Sequence, residues 1–157
     1  MMNAQFTILL MGVLAAMLVW IAYVDARTFT ISNRINITIA LMAPLFWWAT
    51  GVDLWPDAAI RVAVAAGVFL LFAVMFHLGA MGGGDVKLAA ALALWFTPYE
   101  TLKLLVIMSI AGGILTAGIL TRWKILKKEG RPEIPYGVAI AFGALWLLAQ
   151  RFLNHFA

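Results

Sequence analysis

Two aspartates are the residues of this chain whose type and surroundings could do chemistry together. Asp85 follows three glycines, Gly82-Gly83-Gly84, within a long stretch of hydrocarbon side chains. Asp25 stands in a matching position, at the end of the apolar stretch Phe6–Val24. An ionisable residue held at membrane depth indicates a functional site by default. The two carboxylates are therefore the first candidates for a catalytic site.

Two nearby carboxylates cannot both ionise without a large cost, so such a pair shares one proton. That arrangement suits aspartic hydrolysis. The ionised carboxylate takes a proton from water, and the neutral one polarises the scissile carbonyl and later protonates the leaving amine. No metal and no cofactor is needed. Two alternatives remain open: Asp85 as the N-cap of a helix that begins at Val86, and Asp25 as an ion-pair partner of Arg27 or Arg34.

The glycines and three neighbouring polar residues complete the candidate site. Three successive glycines allow positive φ and close approach of another chain, so an extended substrate backbone is expected to lie against this loop. Lys87 could stabilise the ionised form of Asp85 or contact substrate, although snorkelling to lipid phosphate explains it equally well. His77 could assist proton transfer, but an interfacial histidine is the commoner case. Asn33 lies in the polar loop that begins at Asp25.

The composition predicts an all-α integral membrane protein. Of the 157 residues, 65% are hydrophobic and 11% are charged, which is more apolar than a soluble domain requires. Lipid offers no partners to backbone groups, so long apolar runs must form helices. Cys is absent, which excludes disulfides and thiolate metal sites. No segment outside the membrane is long enough for a second domain, so residues 1–157 form a single transmembrane domain.

Six membrane-spanning helices are predicted, and the fourth is unusual. They are Phe6–Val24, Ile35–Thr50, Ala58–Leu78, Val86–Phe96, Leu102–Leu120 and Gly137–Phe152. The fourth has about 11 residues, too few to cross a bilayer alone. It crosses only if the glycine loop lies within the membrane, buried in protein or lining a wet cavity. Small residues at Gly112, Gly113 and Gly118 predict close packing of the fifth helix.

The loops between these helices include two polar segments and an aromatic cluster. Asp25–Arg34 and Thr121–Tyr136 are predicted loops, and Thr97–Thr101 is a predicted turn. Trp47, Trp48 and Trp55 are interpreted as an interfacial belt, and Arg61 is expected to snorkel.

The positions of the basic residues predict the orientation. One side of the six-helix arrangement holds 8 of the 11 basic residues, namely Arg27, Arg34, Lys87, Arg122, Lys124, Lys127, Lys128 and Arg131. The positive-inside rule places this side, with Asp25 and the glycine loop, in the cytoplasm and both termini outside. This bias also explains the net charge of +4, so nucleic acid is not an expected partner.

Three stretches of the sequence resemble type IV prepilin peptidases, a family of intramembrane aspartyl proteases. Gly82-Gly83-Gly84-Asp85 fits the G-x-G-D signature of such proteases. The segment from Asp25 to Asn33 resembles the family's first catalytic segment, and Ile134–Ala141 resembles the short members that serve tight-adherence (Flp) pili. The three stretches occur in the family's order, and the resemblance extends from Asp25 to about Gly143.

The resemblance implies a specific function. Asp25 and Asp85 match the two catalytic aspartates, and Gly82, Gly83, Gly84, Lys87 and Asn33 match motif or substrate-binding positions. The expected reaction removes the short basic leader of a prepilin at the cytoplasmic face of a bacterial inner membrane. The expected partners are the prepilin and membrane lipids, with the oligomeric state undetermined.

The sequence departs from the family pattern in two ways. Ser32 stands where the family usually has Pro, so a less rigid first loop is expected. The longer members also carry a methyltransferase region with zinc-binding cysteines, which this chain lacks, so no N-methylation by this polypeptide is expected.

Two other functional classes compete with this interpretation. Intramembrane acids near a broken helix also mark proton pathways, as in a small proton-coupled transporter. A non-catalytic assembly subunit of a pilus or secretion system would use the same aspartates only at helix ends. Transporters usually distribute acids across the bilayer, whereas here both acids are predicted near one interface.

Overall fold

The computed structural model describes residues 2–127 and 132–156 and contains six α-helices in that part of the chain. They are α1 (Met2–Thr28), α2 (Asn33–Thr50), α3 (Ala59–His77), α4 (Gly83–Ala93), α5 (Pro98–Ile125) and α6 (Tyr136–Phe156). A short turn, Leu54–Ala58, precedes α3 and contains a cis peptide bond between Trp55 and Pro56. The helices of the predicted all-α architecture are therefore present in the predicted order.

Four stretches in the described part of the chain are long and apolar enough to cross a membrane. These stretches are Ala4–Thr28, Leu54–His77, Pro98–Ile125 and Tyr136–Leu153. The protein is therefore a multi-pass membrane protein. The crossing of α2 and α4, which six spans require, stays a prediction.

The first predicted loop is wrong at both ends. α1 continues to Thr28, which places Asp25 in its last turn. Phe29, the residue after the helix, has a left-handed φ of 52°. Its amide donates to the carbonyl oxygen of Asp25 at 2.9 Å, as in an αL cap. α2 then begins at Asn33, with the hydroxyl of Ser32 accepting from the amide of Arg34 at 3.3 Å. Ser32 thus supplies an N-cap that proline could not.

The short helix α4 lies inside the bundle. It packs against α3, α2 and α6, and most of its side chains are buried, namely Asp85, Val86, Leu88, Ala89, Ala91, Leu92 and Ala93. Eleven residues at 1.5 Å per residue span about 16 Å, roughly half of the hydrocarbon thickness. The backbone groups at its ends therefore need partners from the protein.

Side chains from three other helices satisfy the carbonyls that follow α4. The indole of Trp47 donates to the carbonyl oxygen of Leu94 at 2.8 Å. The guanidinium groups of Arg61 and Arg151 both donate to the carbonyl oxygen of Trp95, at 3.1 and 3.2 Å. Cations here also complement the negative end of the helix dipole.

These contacts overturn two predictions from the sequence. Arg61 is 8% exposed and does not snorkel. Trp47 is buried and bonds to the carbonyl oxygen of Leu94, so it is not part of an interfacial belt, whereas Trp48 and Trp55 are exposed. Both side chains are drawn inward because α4 is short and leaves buried carbonyls without backbone partners.

α5 is longer than predicted at both ends. Thr97 caps it in a capping box with Glu100, so the predicted turn Thr97–Thr101 is mostly helix. Glu100 also forms a 2.6 Å salt bridge with Arg151. At the other end α5 continues to Ile125, into the predicted basic loop, of which residues 128–131 lie outside the described part. Of the three glycines expected to pack closely, only Gly112 faces another helix, against Tyr136 and Ala139 of α6.

Candidate active site

Asp85 lies in the first turn of α4. Gly82 is the N-cap residue, with an ordinary φ of −73°, and Gly83 and Gly84 are already helical. The helix therefore begins three residues earlier than predicted, and Asp85 is not its N-cap. The positive φ values expected from this glycine run occur elsewhere, at Gly51 and Gly79.

The three glycines provide close approach, as expected, but to this chain itself. A Cβ atom on Gly84 would lie 3.0 Å from Cβ of Ile31 and 3.2 Å from its carbonyl oxygen. A Cβ atom on Gly82 would lie 2.8 Å from Oδ2 of Asp85, and one on Gly83 would lie 3.3 Å from the ring of Phe76. The expected open surface for a substrate backbone is therefore occupied, at Gly84, by the loop between α1 and α2.

Asp25 faces the N-terminus of α6. Its carboxylate Oδ2 accepts a hydrogen bond from the amide of Val138 at 3.2 Å. A Cβ atom on Gly137 would lie 2.8 Å from that oxygen, so only glycine allows this approach. The positive end of the α6 dipole stabilises a negative charge at this position. α6 therefore supplies the binding site for the Asp25 carboxylate.

Ile31 packs against residues that neighbour each of the two aspartates. This side chain lies against Gly84, next to Asp85, and its Cδ1 would lie 2.6 Å from a Cβ on Gly137, which also adjoins Asp25. Both aspartates therefore lie next to a glycine that Ile31 approaches. Among the side chains that the structure describes, these are the two buried carboxylates, 3% and 7% exposed.

The alternative role of Asp25 as an ion-pair residue finds no contact. Among the described residues, Glu100 and Arg151 form the one salt bridge, with a nitrogen–oxygen distance of 2.6 Å, and Asp25 takes part in none. Arg27 instead lies 5.4 Å from the centre of the Tyr23 ring. Asp25 is thus held by a backbone amide rather than by a basic side chain.

The remaining predicted residues, Lys87, Asn33 and His77, are exposed. The ammonium of Lys87 donates to Oδ1 of Asn33 at 2.8 Å, which links α4 to α2 at an exposed position. Lys87 is therefore engaged with Asn33. His77 is the last residue of α3 and is exposed.

Asn36 and Gly137 belong to the site and were missed by sequence reasoning. Asn36 is 3% exposed, and its amide nitrogen donates to the carbonyl of Gly84 at 3.0 Å. Its Oδ1 is buried without a hydrogen-bond partner, as is Oδ1 of Asp85. Gly137 could have been found, because it lies inside the stretch Ile134–Ala141. Asn36 carried a weaker signal, a polar residue one helical turn beyond Asn33 in an apolar helix.

The chemistry available at the site is that of two carboxylates. No group of three or more His, Cys, Asp or Glu side chains comes together in the described part of the chain. Oδ1 of Asp85 is buried and has no hydrogen-bond partner among the described residues. A buried polar atom of this kind calls for an explanation, and a catalytic role is one.

Comparisons with known proteins show which family the sequence matches. The sequence model of the type IV leader peptidase family matches residues 12–117. A prepilin leader peptidase/N-methyltransferase of Burkholderia pseudomallei is 30% identical over 114 residues, which cover 66% of this chain and 36% of that protein. Leader peptidase HopD of Escherichia coli is 30% identical over 135 residues, covering 81% of this chain and 86% of that protein.

The extent of these matches differs between the two relatives. The chain spans about a third of the length of the Burkholderia protein (36%) and most of the length of HopD (86%). No solved structure matches the chain.

Proposed function

Because the chain belongs to the type IV leader peptidase family, we propose that it is an aspartic endopeptidase that removes the leader peptide of prepilins. The substrate is a prepilin of the type IV or Flp kind, cut between its short basic leader and its apolar helix. The stretch Ile134–Ala141, which resembles the members that serve Flp pili, supports the Flp assignment. The two relatives are a prepilin leader peptidase/N-methyltransferase and a leader peptidase, and these activities support the substrate class.

One observation carries the proposal: among the described side chains Asp25 and Asp85 are the two buried carboxylates, and Ile31 lies against Gly84, which precedes Asp85, and against Gly137, whose Cβ position lies 2.8 Å from Oδ2 of Asp25. Burying one unpaired carboxylate is costly, and burying two close together costs more. A fold that accepts this cost at a single point has a chemical use for the pair. Asp25 does accept a hydrogen bond at the N-terminus of α6, but among the described residues neither aspartate has an ion-pair partner.

In the proposed mechanism, Asp25 is the ionised member and Asp85 the protonated one. The amide of Val138 and the N-terminus of α6 favour the negative charge on Asp25. Asp25 takes a proton from water, whose oxygen forms a bond to the scissile carbonyl carbon. Asp85 donates its proton to the carbonyl oxygen as the carbonyl is polarised. The two carboxyl groups then exchange a proton, and the amine leaves protonated as the C–N bond breaks.

The proposed orientation has the aspartates near the cytoplasmic leaflet of the inner membrane, with both termini outside. The bias of basic residues supports it. A basic leader remains in the cytoplasm by the same rule, so the cleavage site and the aspartates would meet at one interface.

Cleavage of a synthetic prepilin by the purified protein in detergent tests the proposal. Asp25→Asn and Asp85→Asn should each lower kcat/KM by at least about a hundredfold, because each removes a proton-transfer group. Asp57→Asn is the matched control, since Asp57 is exposed at the Leu54–Ala58 turn. Full cleavage by either of the first two variants, with the fold intact by circular dichroism, would refute the proposal. Proton transport without cleavage would favour the transporter.

A further inference from the structure

An apolar groove begins beside the candidate active site and runs along α4. It has a volume of about 710 Å³. α4 forms its floor, and α2 and α3, which both pack on α4, form its walls. Its polar residues are Asn33, Asn36 and Lys87, all in the first turns of α2 and α4. The groove is therefore polar at the end near Asp85 and apolar along the rest of its length.

Asn36 is the residue that distinguishes this groove from an ordinary lipid-facing depression. Its amide nitrogen is bonded to the carbonyl of Gly84, which fixes the side chain. Its Oδ1 is buried without a partner, in a side chain 97% removed from solvent. An unpaired buried acceptor costs about 1–3 kcal/mol. Lipid acyl chains have no donors, so lipid filling the groove would not recover this cost.

We propose that Asn36 is a substrate-binding residue: its Oδ1, covered in the substrate-free protein, is uncovered as the apolar helix of the substrate enters the groove and then accepts a main-chain N–H next to the scissile bond. This inference rests on the proposed function. A helix about to be cut must leave its first N–H groups without intrahelical partners, because the first four amides of any helix are orphaned. One of them can meet Asn36, whose partner Gly84 directly precedes Asp85.

The polarity of the groove matches that of the proposed substrate. A prepilin changes from a polar leader to an apolar helix at the cleavage site, and the groove changes in the same direction away from Asp85. A second apolar groove, of about 420 Å³, lies between α5 and α6 and is lined by residues such as Ala111 and Phe142. Its lining residues include no polar side chain, so it offers nothing to a backbone amide.

Filling each groove with a tryptophan tests which one receives the helix. Ala66→Trp fills the groove along α4, and Ala111→Trp is the matched control in the second groove. We expect Ala66→Trp to raise KM for full-length prepilin about tenfold and to leave unchanged the cleavage of a short leader peptide that lacks the helix. Ala111→Trp should leave both unchanged. An effect of Ala111→Trp alone, or of neither variant, would overturn the inference.

Photo-crosslinking gives a second readout that tolerates a loss of activity. With Asp85→Asn to keep the prepilin intact, a benzophenone side chain at Phe69 should crosslink to the prepilin helix. The same group at Phe142 should not. The two positions are similarly exposed, 42% and 52%. Crosslinks from Phe142 only would assign the helix to the other groove.

The role of Asn36 itself is tested with prepilin peptides in which one amide at a time is replaced by an ester. One ester near the scissile bond should lower kcat/KM about fivefold with the wild-type protein, since one hydrogen bond is lost. The same ester should have no further effect with Asn36→Ala. Additive losses would assign Asn36 a purely structural role at Gly84. If wild-type protein cleaves no prepilin, the proposed function fails and this inference with it, whereas equal KM values among the groove variants overturn only this inference.

Discussion

The amide of Val138 donates a 3.2 Å hydrogen bond to the carboxylate of Asp25, joining residues 113 positions apart. Gly137 makes this contact possible, because a side chain there would meet the carboxylate. The last helix of the bundle thus orients an aspartate on the first. The position of Asp25 relative to Asp85 depends on how α6 packs between α1 and α4.

Gly137→Ala should therefore disable the protease. The new Cβ would lie 2.8 Å from Oδ2 of Asp25 and 2.6 Å from Cδ1 of Ile31, so both must move. A displacement of about 1 Å in a catalytic group can cost about a hundredfold in rate, and a loss of this size in kcat is expected. Gly113→Ala is the control, because nothing lies within 4 Å of its Cβ position. Equal activity of the two variants would contradict the geometry.

The pH profile of kcat/KM should be bell-shaped. The proposed mechanism needs one of Asp25 and Asp85 ionised and the other protonated. In acid both are protonated and the general base is lost, while in alkali both ionise and the general acid is lost. Measuring cleavage from roughly pH 4 to 9 covers both limbs. A rate that stays constant across this range would argue against a shared proton.

Lys87→Gln should change little. The ammonium of Lys87 bonds to Asn33 at an exposed position, and exposed polar contacts of this kind contribute about 0.2–1 kcal/mol. We expect kcat/KM for prepilin cleavage to fall by no more than about fivefold. A loss as large as that of Asp85→Asn would move Lys87 into the catalytic machinery.

Arg61→Met and Arg151→Met should destabilise the fold non-additively. Both arginines donate to the carbonyl oxygen of Trp95, so after either change the other still satisfies it. Arg151→Met should cost more, because it also leaves Glu100 without its partner. A double-mutant cycle on the free energy of unfolding in detergent should give a coupling of about 0.5–3 kcal/mol. Exposed Lys103→Met serves as the control, and strict additivity would mean that the shared carbonyl is unimportant.

Much of the fold could be predicted from local patterns. The order of the helices and the shortness of the segment after Asp85 follow from apolar runs, whose lengths the bilayer and the backbone hydrogen bonds dictate. The helix ends were less predictable. The charge of Asp25 predicts a loop, yet the residue lies in the last turn of α1. There a hydrogen bond from the amide of Val138 in α6 compensates for the burial of its carboxylate.

The failures at Arg61 and Trp47 have one cause. Their types suit a membrane interface, and a single sequence gives no sign that a buried carbonyl is near. That carbonyl exists because α4 ends inside the protein. Its requirement for hydrogen bonds outweighs the general preference of these side chains for the interface.

The sequence by itself determined that this is a membrane bundle with two candidate acids and a glycine run, since residue type and spacing act locally. Only the tertiary structure decided that Asp25 is held by Val138, that Gly84 is packed by Ile31 and that Asn36 keeps an unpaired oxygen at the head of a groove. Those contacts join residues 48 to 113 positions apart. Their geometry arises from helices packing on one another, which no local pattern records.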